Sequence, residues 1–246
     1  MPDTTPMPEL PDHRRGGLLG VRLQRWVWTR RASSWDHGGA AGLELVIDAV
    51  LEAAEVRPGL VAVDLGCGTG QLSLPLARNG AYVMAVDVSQ AMVDLLEAKA
   101  TASGVKGILG VVTPIETLSL PEQSADLVIS NYALHHLRDR DKAAFVGEAA
   151  SWLRPGGRLV VGDMMFGRGA TARDRSIIAS KVAVLARRGP AGWWRLAKNA
   201  IRFTLRLQER PVSMDTWTRH FEMAGLTDVS ATPVVAEAAV IVGTKP

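Results

Sequence analysis

A chain of 246 residues is long enough for one α/β domain with a full core and an added cover. Apolar residues make up 47% and charged residues 22%, ordinary for a globular protein in water, and the single cysteine, Cys67, excludes an internal disulfide framework and fits a reducing cytosol. The net charge is only +3, no apolar run reaches membrane-spanning length, and five scattered histidines offer no metal-ligand spacing, so the expectation is a cytoplasmic protein with no bound metal.

Residues 1–20, rich in proline and glycine, read as a disordered tail. The stretch 21–38 is basic and aromatic together, and Trp26 and Trp28 suit an N-terminal helix anchored on the core. From Leu43 to Val56 apolar residues recur at helical spacing until Pro58-Gly59. Strand and helix then alternate: strand 60–65, helix 70–79, strand 82–87, and helix 90–103 capped by Ser89 and closed by Gly104. Strands 108–112 and 126–130 follow, then helix 139–153, a Pro155-Gly156-Gly157 turn and strand 158–164. This alternation predicts an α/β fold, a mostly parallel sheet with helices on both faces, and ligands bound beyond the carboxyl ends of the strands. Gly66, Asp87, Thr113 and Ser130 would then share one rim.

Residues 167–212 break the alternation. They read as two helices, 170–188 and 191–208, with many arginines and lysines against only Asp174 and Glu209, and with apolar residues between them. A helical cover over a pocket, a basic face for anionic lipid and an RNA-binding face are competing readings, beside a merely solvated face. Helix 214–224 and strands 227–235 and 238–243 close the chain.

The chemistry concentrates at Asp64-Leu-Gly66-Cys67-Gly68-Thr-Gly70, a buried strand running into a glycine-rich turn. Glycine lets the backbone turn sharply and lets a ligand lie against main chain. Asp87 ends the next strand about 20 residues after the first glycine, the spacing at which a carboxylate meets a ribose diol. The spacing is GxGxG rather than the GxGxxG of dinucleotide sites, and Asp64 would repel a pyrophosphate. A cofactor carrying positive groups, such as S-adenosylmethionine, suits it better.

Val63-Asp-Leu-Gly-Cys-Gly-Thr-Gly70, Val86-Asp-Val-Ser89, Ala125-Asp-Leu-Val-Ile-Ser-Asn-Tyr-Ala-Leu-His-His136 and Leu153-Arg-Pro-Gly-Gly-Arg-Leu159 resemble the ordered motifs of class I S-adenosylmethionine-dependent methyltransferases, above all the branch that methylates quinones and other small molecules. The resemblance covers roughly residues 43–165. It implies a three-layer Rossmann-like sandwich with a seven-stranded sheet ending in an antiparallel pair. Within one methyltransferase domain over 21–246 it implies a lid (21–58), a cofactor core (59–166), an acceptor-side cover (167–212) and a C-terminal unit (213–246).

The implied activity is in-line methyl transfer to an oxygen, nitrogen or carbon of a small apolar acceptor, leaving S-adenosylhomocysteine. Cofactor contacts fall on Asp64, Gly66, Cys67, Gly68, Asp87, Val88, Ile115, Glu116, Asn131 and Tyr132. Pro114 stands where the family carries an acid facing the adenine amine, so Glu116, main-chain groups or apolar walls would replace that contact. Tyr132 can face a sulfonium through its ring. Candidates for a general base are His135, His136 and Asp163. Cys67, near a helix N-terminus, would have a lowered pKa. RNA methylation and a non-catalytic cofactor-binding subunit are the alternative functions. Peripheral membrane contact through 167–212 and a homodimer are the candidate associations.

Overall fold

The computed structural model describes residues 42–167, 174–176, 179, 182, 183 and 210–246. The expected tail, the lid before residue 42 and nearly all of the inserted cover lie outside the described residues.

Strands β1 (Val61–Leu65), β2 (Tyr82–Asp87), β3 (Ile108–Val112), β4 (Ala125–Asn131), β5 (Leu153–Met164), β6 (Thr227–Pro233) and β7 (Ala238–Thr244) form one sheet in the order β3-β2-β1-β4-β5-β7-β6. The first five are mutually parallel, while β7 is antiparallel to β5 and to β6. Every residue of β1 is buried, the pattern of a strand covered on both faces; β6, at the edge, is largely exposed and polar. Consecutive strands run outward from β1 to β3, and the chain then returns to place β4 on the other side of β1. That reversal opens the crevice in which such sheets hold ligands.

Helices cover both faces. On one side α1 (Leu43–Ala54), α2 (Ser73–Arg78) and α3 (Gln90–Ala102) pack through Val46, Val50, Leu76 and Leu96. On the other, α4 (Asp139–Trp152) and α5 (Met214–Met223) bury Phe145, Trp152, Trp217 and Phe221. Helix α1 approaches β5 where Gly162 stands: a Cβ there would lie 2.4 Å from Val50 Cγ2.

Three local features differ from the sequence reading beyond shifts of a residue or two at element ends. Helix α2 starts at Ser73 rather than residue 70, because the glycine turn continues through Leu72. Ser89 does occupy the N-cap of α3, but its side chain makes no capping hydrogen bond; its amide instead donates to Asp87. Pro155-Gly156-Gly157 is not a turn ahead of β5. It is an irregularity within it, where Gly156 N donates to Lys245 O and Lys245 N to Gly157 O, each at 2.8 Å, so the strand keeps its pairing with the chain end.

Candidate functional site

Beyond the carboxyl ends of β1, β2 and β4 lies a cleft enclosing about 800 Å3 of empty space, part of it open solvent. Its floor is the glycine turn. Gly66 (φ 74°) and Cys67 leave β1 with both amides donating to Val86 O, and a Cβ on Gly66 would lie 2.3 Å from that of Ala133. Only glycine fits there.

Asp87 closes this turn from the tip of β2. Its Oδ2 accepts from Gly68 N at 3.0 Å and its Oδ1 from Ser89 N at 2.8 Å, while its carboxylate remains on the cavity wall. Burial raises its pKa, and the amides of Ser89, Gly68 and Val88 partly offset this. One carboxylate therefore fastens two loops and still has lone pairs for a diol.

Asp64 is placed differently. It is 1% exposed, sits behind the turn rather than on the cavity wall, and accepts from Ser73 Oγ at 2.5 Å. Burial pushes its carboxyl up to about 7, with nearby Asp87 adding to the rise. Cys67 lines the cavity, but its thiol is pushed up by burial and by Asp64 and Asp87. The expected lowering by a helix N-terminus is overturned: α2 begins only at Ser73, and the nearby charges are negative.

The wall toward β3 is formed by Val88, Met92, Pro114, Ile115 and Glu116, the last two in a 3-10 turn, Ile115–Thr117. It is apolar apart from Glu116. The opposite wall follows β4. Asn131 and Tyr132 lie on it, and buried Asn131 Oδ1 has no hydrogen-bond partner among the described residues. Tyr132 adopts φ 51°, an outlier for a bulky aromatic residue, and its amide donates to Gly162 O at 2.8 Å.

A second 3-10 turn, Leu134–His136, separates the two histidines. His136 lines the cavity; His135 turns inward, 6% exposed. There His135 Nδ1 meets Asp163 Oδ1 at 2.6 Å, and its backbone N donates to Asp163 Oδ2 at 2.7 Å. Asp163, fully buried at the end of β5, is thus engaged with the turn and is not on the cavity wall. The two histidine rings lie 4.0 Å apart between centroids.

Leu43, Gln71, Ala133 and Leu137 also line the cavity, and the sequence reading named none of them as site residues. Leu43 carried only a core signal, being one apolar position of a helix; packing of α1 over β5 brings it to the rim. Among the described residues no group of three His, Cys, Asp or Glu is placed to hold a metal ion, and no helix is long and apolar enough to cross a membrane.

The fold and site have counterparts. The methyltransferase-domain family matches residues 63–161. A methyltransferase of Anoxybacillus flavithermus, described as uncharacterized, is 32% identical over 154 residues, 58% of this chain and 66% of that protein. A ubiquinone biosynthesis O-methyltransferase of Parvibaculum lavamentivorans is 30% identical over 145 residues, 58% of this chain and 53% of that protein. The chain thus spans between about half and two thirds of these relatives. Among solved structures, an S-adenosylmethionine-dependent methyltransferase from Aquifex aeolicus superposes with a TM-score of 0.60 at 17% identity, over 89% of this chain and 98% of that one, a likeness of fold. The glycine turn, the carboxylate at the tip of β2 and the matched family converge: residues 63–161 carry a methyltransferase domain of the S-adenosylmethionine-dependent kind.

Proposed function

We propose that this protein transfers a methyl group from S-adenosylmethionine to an oxygen, nitrogen or carbon atom of a small, uncharged and largely apolar molecule of the quinol or phenol kind. The observation that carries the reading is one cavity with a carboxylate, Asp87, at its cofactor end, His136 on its opposite side and mainly apolar walls between. Bound there, the cofactor supplies an electrophilic methyl group on a sulfonium.

The residues fit such a group. Asp87 is poised to accept two hydroxyl hydrogen bonds, and the unpaired Asn131 Oδ1 suits a donor such as an amine. Pro114 and Ile115 offer an apolar surface to a flat base, and Glu116 offers it an acceptor. The described wall carries Asp87 and Glu116 but no lysine or arginine, and Asp64 lies just behind it. That balance favours a cationic cofactor and disfavours an anionic acceptor.

His136 is the histidine that lines the cavity, so it is the base in this reading, taking a proton from the acceptor as the new bond forms. His135 and Asp163 support it from behind. The similarity to quinone-methylating relatives points to the same acceptor class.

The test is calorimetric titration of S-adenosylmethionine into the parent and into Asp87→Ala, followed by transfer of labelled methyl to a panel of quinols, phenols and RNA. Binding weakened tenfold or more in the variant and label in the quinols support the reading. Absence of binding by the parent, or label in RNA alone, overturns it.

A further inference from the structure

Lys142 is the only lysine or arginine with a fully buried side chain among the described residues. It stands in the first turn of α4, where the helix dipole disfavours a cation, and burial disfavours it again and lowers its pKa. Two unfavourable terms at one position call for something that only a multivalent donor supplies there.

Its contacts show what that is. Lys142 Nζ donates to Leu137 O at 2.7 Å and to Arg210 O at 2.8 Å, with Asp139 Oδ1 at 3.4 Å. Arg210 N in turn donates to His135 O at 2.7 Å. The peptide of Arg210, where the chain comes back toward α5, is therefore clasped from both sides. Its amide holds one end of the turn that carries the histidines, and its carbonyl shares the ammonium that holds the other end. Leu137 and His136 are cavity-wall residues, so the ammonium sits one carbonyl away from the wall.

We propose that Lys142 is a positioning residue for methyl transfer: it straps the 134–137 turn to Arg210 and so fixes His136 against the cavity. This rests on the reading of the cavity as the transfer site. The strap works through backbone carbonyls, independent of the Asp87 end.

Lys142→Met keeps nearly the length of the side chain and removes every donor; Lys142→Gln, of similar length, keeps an amide with two N–H donors and no charge. Three readouts are to be taken on the full chain: calorimetric affinity for S-adenosylmethionine, steady-state methyl transfer to a demethylated short-chain benzoquinol, and hydrogen exchange at the Arg210 amide. In Lys142→Met the expected result is a kcat lower by at least tenfold, cofactor Kd within twofold of the parent and faster exchange at Arg210, with Lys142→Gln between the two. A kcat within twofold of the parent with unchanged exchange overturns the proposal. So does a parallel loss of kcat, cofactor affinity and melting temperature, which would make Lys142 merely structural. Exchange at Arg210 needs no acceptor. A parent that binds cofactor but leaves this quinol unmethylated therefore sinks only the acceptor assignment, and unchanged Arg210 exchange in Lys142→Met still overturns the strap.

Discussion

In the proposed reading Asp87 does two jobs with one carboxylate, and they can be separated by substitution. Asn retains an oxygen that can accept from Gly68 N or Ser89 N but loses the charge that strengthens hydroxyl hydrogen bonds; Ala loses both. With charge-assisted bonds worth about 1.5–3 kcal/mol each, Asp87→Ala should weaken cofactor binding by tenfold or more, and Asp87→Asn by less. Equal loss in both would mean that the turn, rather than the charge, governs affinity. Asp64 is the other carboxylate with an unusual environment. Its pKa of about 7 in the folded chain exceeds the ordinary value, so the fold prefers its neutral form. Stability from this group is fully present below pH 4 and is lost as pH rises toward 7. Above that range the ionised form is destabilising, on the order of a few kcal/mol. Asp64→Asn should therefore raise the denaturant midpoint at pH 8 and change it little at pH 4. A gain independent of pH would show that ionisation at Asp64 is not the cause. Tyr132, held at positive φ, is a third case. Tyr132→Gly should relieve backbone strain and raise the melting temperature, while lowering turnover by removing a wall ring. Undiminished turnover would leave the strain without a function.

At the level of elements, the contact between α1 and β5 links the core to the site. Gly162 admits Val50 within the space of one methyl group, and the same absent Cβ would lie 2.9 Å from Asn131 Oδ1. Gly162→Ala should destabilise the fold by about 1–3 kcal/mol through overpacking and weaken cofactor binding through Asn131; thermal melts and calorimetry on one sample separate the two effects. Binding unchanged in a destabilised variant would uncouple Asn131 from the cofactor. The histidine turn shows why an element decides what a residue can do. In a 3-10 turn adjacent side chains point about a third of a revolution apart, so neighbouring histidines face a cavity and a buried aspartate respectively. No spacing in the sequence settles which of His135 and His136 meets the cavity, and Asp163 is a further candidate base there.

Across the molecule, a cofactor bound at the β1, β2 and β4 tips touches strands and loops that are otherwise joined through the sheet. Ligand at about 100 times its Kd should add close to 2.7 kcal/mol to stability, a rise of several degrees in melting temperature for a chain of this size. S-adenosylmethionine should produce that rise and NAD should not; equal shifts would argue for a less selective pocket. The amino-acid sequence alone determined the strand–helix alternation, the glycine turn and the carboxylate of Asp87 at the tip of β2, because these depend on local periodicity and on spacing along one βαβ unit. It also carried the family, through motifs whose order survives in the chain. The tertiary structure decided what depends on residues far apart: Asp64 withdrawn behind the turn, Asp163 spent on His135, Leu43 brought to the rim, and Lys142 bound to a carbonyl 68 positions away. Side-chain direction and burial are set by which surfaces pack together, and no local pattern encodes that.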